Sequence, residues 1–254
     1  MPVASSTPGP TWSAAQSGRT ALIDFPTDVR RAVVVVPVHD EEDLLQACLG
    51  ALGEAQCHLE SIDVQTVVVL DSCSDRSESI AVRWAREHSA RSVISVAMRN
   101  VGAARAAGFA AQDGAPDTWF ATTDADSVTR PDWLASQIAH ARRGAGAVAG
   151  TVRVDLDALP ESMAAAYRSS YHDRPGHRHV HGANLGVRAD AYRRIGGFAP
   201  LATDEDVDLI RRLEKARVPV VYACDSPVST SNRLHGRAPD GFAAHLLSLD
   251  EAAR

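Results

Sequence analysis

The chain has 254 residues, 45% of them hydrophobic, and a formal net charge of −6. That is enough apolar material for a sizeable core, and the acidic balance excludes a nucleic-acid binder built on a basic face. No apolar run reaches about 18 residues, so the sequence pattern contains no membrane-spanning helix.

Basic charge is nearly all arginine, with Lys215 the single lysine, and alanine is abundant; this usage points to a GC-rich, bacterial genome. Cys48, Cys57, Cys73 and Cys224 form no CxxC pair and read as free thiols of a reducing compartment. The N-terminus has no basic stretch followed by an apolar one, so no signal peptide is expected. The chain is assigned to the cytoplasm, or to the periphery of the inner membrane face.

Residues 1–28 are rich in Ala, Ser, Thr and Pro and are expected to form a flexible arm. Alternation then begins. "AVVVVPV" (32–38) is a continuous apolar run, the mark of a strand buried on both faces. "DEEDLLQACLGALGEA" (40–55) has helical spacing and an acidic start that suits a helix N-terminus. "VQTVVVLD" (64–71) is a second strand, "DRSESIAVRWAREHSA" (75–90) a second helix, and "RSVISVA" (91–97) a third strand. "NVGAARAAGFAAQ" (100–112) is a third helix and "TWFATTD" (118–124) a fourth strand. This rhythm predicts an α/β fold with a Rossmann-like, mainly parallel sheet flanked by helices.

After about residue 145 the rhythm changes. A strand is predicted at 145–154, a helix at 159–171, then a His-rich segment, "GANLGVR" (182–188), a helix at 204–216 and a strand at 218–223. Residues 29–254 thus read as one domain, with a nucleotide-binding half over 29–130 and a smaller acceptor half over 131–254.

Ligands of open α/β sheets bind beyond the carboxyl ends of the strands. Residues 37–41, 71–75, 100–105 and 124–126 fall there. Asp124 and Asp126 stand one residue apart straight after an apolar run, where their mutual repulsion calls for a positive partner. A hard divalent cation, Mn²⁺ or Mg²⁺, takes carboxylate oxygens and keeps phosphates as further ligands. An Asx-rich turn with a helix cap is the alternative for such a DxD pair.

"VVVPVHDEEDLL", "VVVLDSCSDRS", "RNVGAARAAG", "TTDADSVTRPDWL", "GANLGVRADAYRRIGGF" and "DEDVDLIRRL" follow one another in the order found in family-two glycosyltransferases of GT-A fold. The chain resembles that family over residues 31–245. The resemblance implies a metal-dependent, inverting transfer of one sugar from a nucleoside diphosphate donor, of UDP or GDP type, to a small or lipid-linked acceptor. It implies that Pro37, His39 and Glu41 hold base and ribose, that Asp71 contacts the base, and that Arg105 lies near base and phosphates. Asp124 and Asp126 would serve donor and metal. Asp206 of the ED pair would be the general base under the acceptor hydroxyl, with Glu205 beside it; a helix-starting carboxylate pair is the alternative.

The loop at 229–242 resembles one that closes the diphosphate site in such enzymes, with His235 as a third metal ligand and Arg233 and Arg237 clamping phosphates. A solvated loop is the alternative. His172, His177, His179 and His181 precede "GANLGVR"; alternation of the last three puts them on one face if extended. Lining of the acceptor site by His181, Gly182 and Asn184, a structural zinc, and a plain polar loop remain open for this segment. The Gln-x-x-Arg-Trp sequence of processive synthases is missing, which implies single-sugar transfer. A sugar-phosphate nucleotidyltransferase would carry a Gly-rich loop and a lysine after the first strand, and neither is there. A non-catalytic sugar-nucleotide binder is the third class.

Overall fold

The computed structural model describes residues 22, 23, 25–112 and 114–233. Four strands alternate with three helices in the first half: β1 (Arg31–Val38), α1 (Leu45–Cys57), β2 (Asp63–Asp71), α2 (Ser77–Ala85), β3 (Arg91–Val96), α3 (Val101–Ala110) and β4 (Thr118–Thr122). The remainder adds β5 (Ser127–Val128), α4 (Trp133–Arg142), β6 (Ala147–Arg153), α5 (Glu161–Ser170), β7 (Leu185–Arg188), α6 (Ala189–Arg194), α7 (Glu205–Lys215) and β8 (Val220–Thr230). All strands join one sheet in the order β3-β2-β1-β4-β7-β6-β8-β5. β1, β2, β3 and β4 run parallel, as does β6 with β8, while β7 is antiparallel to both its neighbours.

The continuous apolar run of β1 has a physical cause. Val34, Val36 and Val38 face one core with Leu45, Leu49 and Leu52 of α1, and Val33 and Val35 face the other with Phe109 and Leu209. Both faces are covered, so no polar position alternates in. Each fully buried valine stabilises by about 1.5–3 kcal/mol relative to exposure. Phe25 and Val29 are buried too, and Ile23 N–H donates to the Arg217 carbonyl at 3.2 Å. The stretch just before β1 therefore lies along the sheet; residues 1–21 of the expected arm lie outside the described residues.

Three expectations shift. Helix α1 starts at Leu45 rather than at residue 40, because the acidic residues ahead of it turn to the neighbouring loop. Asp40 Oδ1 accepts from Ser74 N–H at 2.6 Å, and Glu42 Oε2 accepts from Arg76 N–H at 3.0 Å. Helix α4 was not assigned from the sequence, although Trp133, Leu134, Ile138 and Ala141 are buried at helical spacing. Strand β8 extends to Thr230 through the pairing of Ser127 with Thr230 and Val128 with Ser229. Among the described residues, no helix is long and apolar enough to cross a membrane.

Candidate active site

The carboxyl ends of β1, β2 and β4 open into a cleft of about 800 Å³, closed on the other side by the 179–183 segment and the start of α7. Its backbone is shaped by residues in the left-handed region. Asp40 (φ 51°), Ser72 (φ 56°), Arg99 (φ 45°) and Asp204 (φ 58°) all sit on loops that form or flank it. Such conformations cost non-glycine residues about 1–3 kcal/mol each and persist where surrounding bonds impose them.

Asp71 imposes one of them. Its carboxylate accepts from the backbone N–H groups of Met98 (2.7 Å), Arg99 (2.8 Å) and Asn100 (2.9 Å). Burial works against its ionisation, but these bonds hold its carboxyl below the usual range. The carbonyl of Asp71 accepts from His39 Nδ1 at 2.7 Å; a carbonyl cannot donate, so Nδ1 carries the proton. Asp71 is thus first a clamp on the β3–α3 loop. Asn100 caps α3 by accepting from Ala103 N–H at 2.8 Å.

Arg105 of α3 is 2% exposed and sits between carboxylates. It is ion-paired to Asp124 and to Glu205, and its Nε donates to Thr122 Oγ1 at 3.3 Å. A Cβ on Gly182 would collide with this guanidinium, so a larger residue there would have to displace it from its ion pairs. Arg105 thus borders the cleft, and three of its five N–H donors tie Thr122, Asp124 and Glu205 together.

Burial raises the pKa of Asp124 to about 6; Arg105 opposes the rise, while Asp126 and Asp206 add to it. The side chain is 37% exposed to the cleft, and that water moderates the effect. Asp206 is raised by burial, against the pull of Arg105. Its Oδ2 accepts from Gly182 N–H at 2.6 Å and its Oδ1 from Val207 N–H at 2.7 Å. A carboxylate held this way keeps a fixed orientation.

At the carboxyl ends of β1 and β4, Arg233 bonds Glu41 twice (2.9 and 2.7 Å) and Asp126 once (2.6 Å). Ser231 Oγ donates to the same Asp126 oxygen at 2.6 Å. Among the described residues, the cleft lining contains seven carboxylates (Glu41, Asp71, Asp124, Asp126, Asp204, Glu205, Asp206) against three arginines (Arg99, Arg105, Arg233). So acidic a lining favours the entry of positive charge. The hard-oxygen donor set of Asp124 and Asp126 fits Mn²⁺ or Mg²⁺. Asp40, Cys73 and Asp75 also lie within 4.8 Å of one another. They sit outside the cleft, and both carboxylates there accept loop N–H groups.

Across the cleft, around residues 167–181, the rings stack. Tyr171 lies between Tyr167 (4.9 Å) and His179 (4.1 Å), and His179 stacks near His177 (5.5 Å) and His181 (6.2 Å). Tyr171 Oη accepts from Val152 N–H at 2.9 Å and shares a second hydrogen bond with His181 Nε2 at 3.0 Å. His177 Nε2 bonds the Ala223 carbonyl at 3.0 Å. His181 and Gly182 line the cleft. Asn184 does not, and its expected acceptor role is corrected. Its Oδ1 accepts from Trp133 Nε1 (2.8 Å) and Gln137 Nε2 (3.3 Å), while its Nδ2 donates to the carbonyls of Thr151 (2.9 Å) and Ser226 (3.0 Å). Every lone pair and proton of that amide has a core partner.

The fold thus gathers Pro37, His39, Glu41, Asp71, Arg105, Asp124, Asp126, His181, Gly182, Glu205, Asp206 and Arg233 around one cleft. His235 and Arg237 lie outside the described residues. Sequence reading missed Arg99, Asp204 and Tyr171, which also line it. Arg99 and Asp204 are the first residues of the RNVGAARAAG and DEDVDLIRRL motifs, but nothing in their residue types marks the left-handed backbone.

The model of the family described as glycosyl transferase family 2 matches residues 33–195. No curated protein matches the sequence. Among solved structures, the fold is similar to S. aureus TarS 1–349 in complex with UDP-GlcNAc, with a TM-score of 0.62 and 13% identity over 88% of this chain and 66% of that one. It is similar to the mannosyltransferase PcManGT from Pyrobaculum calidifontis in complex with GDP-Man and Mn²⁺, with a TM-score of 0.62 and 17% identity over 93% and 77%. GalNAc-T7 with UDP, GalNAc and Mn²⁺ gives a TM-score of 0.63 and 12% identity over 83% and 46%. The chain spans 66% of the TarS fragment and 36% of the longer TarS chain. At these identities the likeness is one of fold.

Proposed function

The chain belongs to glycosyl transferase family 2 and is a glycosyltransferase, and from that premise we propose that it moves one sugar from a nucleoside diphosphate donor to an acceptor hydroxyl, with a divalent cation and with inversion at the anomeric carbon. The observation that carries this reading is the meeting of Asp124 and Asp126 with Glu205 and Asp206 in one cleft, joined by the buried Arg105. The similar structures in complex with UDP-GlcNAc, with GDP-Man and Mn²⁺, and with UDP, GalNAc and Mn²⁺ support a donor of UDP or GDP type.

In this reading the donor lies over residues 29–130. Pro37, His39 and Glu41 face base and ribose, and Asp71 fixes the loop at 98–100 that borders them. Asp126, with Asp124 beside it, would hold Mn²⁺ or Mg²⁺; when bound, the ion offsets the charge of the diphosphate as it leaves. The acceptor enters over residues 131–254, against His181 and Gly182. Asp206 Oδ takes the proton of the acceptor hydroxyl as its oxygen bonds the anomeric carbon. The bond from that carbon to the diphosphate oxygen breaks on the opposite face, so configuration inverts. Glu205, neutralised by Arg105, keeps the base oriented, and Gly182 N–H bonds the base on its Oδ2.

The test is product analysis. Incubation with a panel of UDP- and GDP-sugars, Mn²⁺ and hydroxyl acceptors, read by mass spectrometry, should yield a glycoside plus the nucleoside diphosphate. Pyrophosphate with a new sugar nucleotide, or an unchanged donor throughout, would sink the reading.

A further inference from the structure

Arg233 follows directly on β8, whose end is pinned by the pairing of Thr230 with Ser127. Residues 231–233 have no regular structure, yet the guanidinium at their end ties two other loops together. It bonds both oxygens of Glu41, on the β1–α1 loop, and one oxygen of Asp126, on the β4–β5 turn. The three side chains are 30%, 9% and 17% exposed. Arg105 cannot take this place, because it is already paired to Asp124 and Glu205.

We propose that Arg233 is the resident counter-ion of the donor site: in the free protein its guanidinium occupies the place of the cation at Asp126, and it leaves only when cation and nucleoside diphosphate arrive together. This rests on the proposed role of Asp126 as cation ligand. The charges argue for it. Arg233 and a divalent ion at Asp126 would compete for the same carboxylate oxygen, and the ion brings the higher charge. A cation arriving alone must displace the Arg233–Asp126 bond and then sit beside a like charge that the Glu41 fork still holds in place. A nucleoside diphosphate supplies a new partner, because phosphate oxygens match the guanidinium fork as a carboxylate does. Two ligands that each remove the other's obstacle bind cooperatively. Arg233 is in this sense a positioning residue that sets the order and coupling of donor binding.

The test is binding of Mn²⁺ to the full chain, read as loss of the free-ion signal in electron paramagnetic resonance, with and without GDP or UDP. Wild type, Arg233→Met, Arg233→Lys and Asp126→Ala are compared, each first shown to unfold cooperatively. Arg233→Met should bind Mn²⁺ alone more tightly than wild type by about 5- to 150-fold, the usual range of coupling between sites, and should lose a matching share of the gain that nucleotide gives. Arg233→Lys keeps the charge but not the fork, so it should tighten Mn²⁺ binding by less. Asp126→Ala should bind no Mn²⁺ in the cleft. If Arg233→Met binds Mn²⁺ no tighter than wild type, or if Arg233→Lys equals wild type, the counter-ion role is overturned and the cation site stands. If no protein binds Mn²⁺ with or without nucleotide, both are overturned.

Discussion

Arg105 of α3 is ion-paired to Glu205, the first residue of α7, across a separation of 100 positions, and both side chains are almost fully buried. The same guanidinium holds Asp124. One side chain therefore ties the Asp124–Asp126 pair to the Glu205–Asp206 pair. Removing one partner of a buried ion pair leaves an uncompensated charge and costs about 3–5 kcal/mol. Arg105→Met is expected to lose stability on that scale in urea unfolding. Arg105→Met with Glu205→Leu should recover part of the loss, with Asp124 still unpaired.

Asp206 has its carboxylate fixed by two backbone N–H groups and its pKa raised by burial. If it is the base, Asp206→Asn should leave donor affinity unchanged and lower turnover by ~10²-fold or more, the scale of a lost general base. Turnover of the wild type should fall with decreasing pH at a point above the ordinary aspartate range, because only the ionised form accepts the proton. Near-normal turnover of the variant with its true acceptor would remove Asp206 from this role and reopen a retaining mechanism.

Asp124 and Asp71 pull stability in opposite directions with pH. The folded state holds the proton of Asp124 more tightly than the unfolded chain does, with a pKa of about 6 against 3.8. Between roughly those values the folded state binds more protons, so this group lowers stability as pH rises. Asp71 is held below its usual range, so its contribution is present above the unfolded pKa and is lost as pH falls. Urea unfolding of the ligand-free protein against pH should show Asp124→Asn removing a downward slope on the weakly acidic side, and Asp71→Asn reducing the loss at lower pH. Identical profiles for wild type and both variants would contradict these assignments.

Asn184 serves the core. Its amide joins the Trp133 and Gln137 side chains to the Thr151 and Ser226 carbonyls, and a Cβ on Gly150 would collide with it. Asn184→Ala strands several buried polar groups, each at about 1–3 kcal/mol. It should lower the melting temperature strongly while leaving nucleotide affinity of the folded fraction unchanged. A stable variant with altered acceptor KM would return Asn184 to the acceptor site.

The parallel strands were legible because both faces of the sheet are covered, which turns Val33 to Val36 into an unbroken apolar run. The strand-end motifs were legible for the same reason: each begins where such a run stops. The start of α1 was not. Asp40, Glu42 and Asp75 carry the composition of a helix N-terminus, but they spend their hydrogen bonds between two loops, a non-local choice that local spacing does not encode. The role of Arg105 was hidden likewise, since its partner Glu205 is met only through the fold. Asn184 shows the remaining limit. A polar residue in a site motif and a polar residue in the core look alike until burial separates them.

The most direct test of the donor site is isothermal titration of UDP and GDP into the protein, in Mn²⁺ and again in chelator, with wild type and Asp126→Ala. The account expects saturable binding of at least one nucleotide in Mn²⁺, and loss of that binding both in chelator and in the variant. Equal affinity with and without chelator, or an Asp126→Ala variant that binds as wild type does, would contradict it.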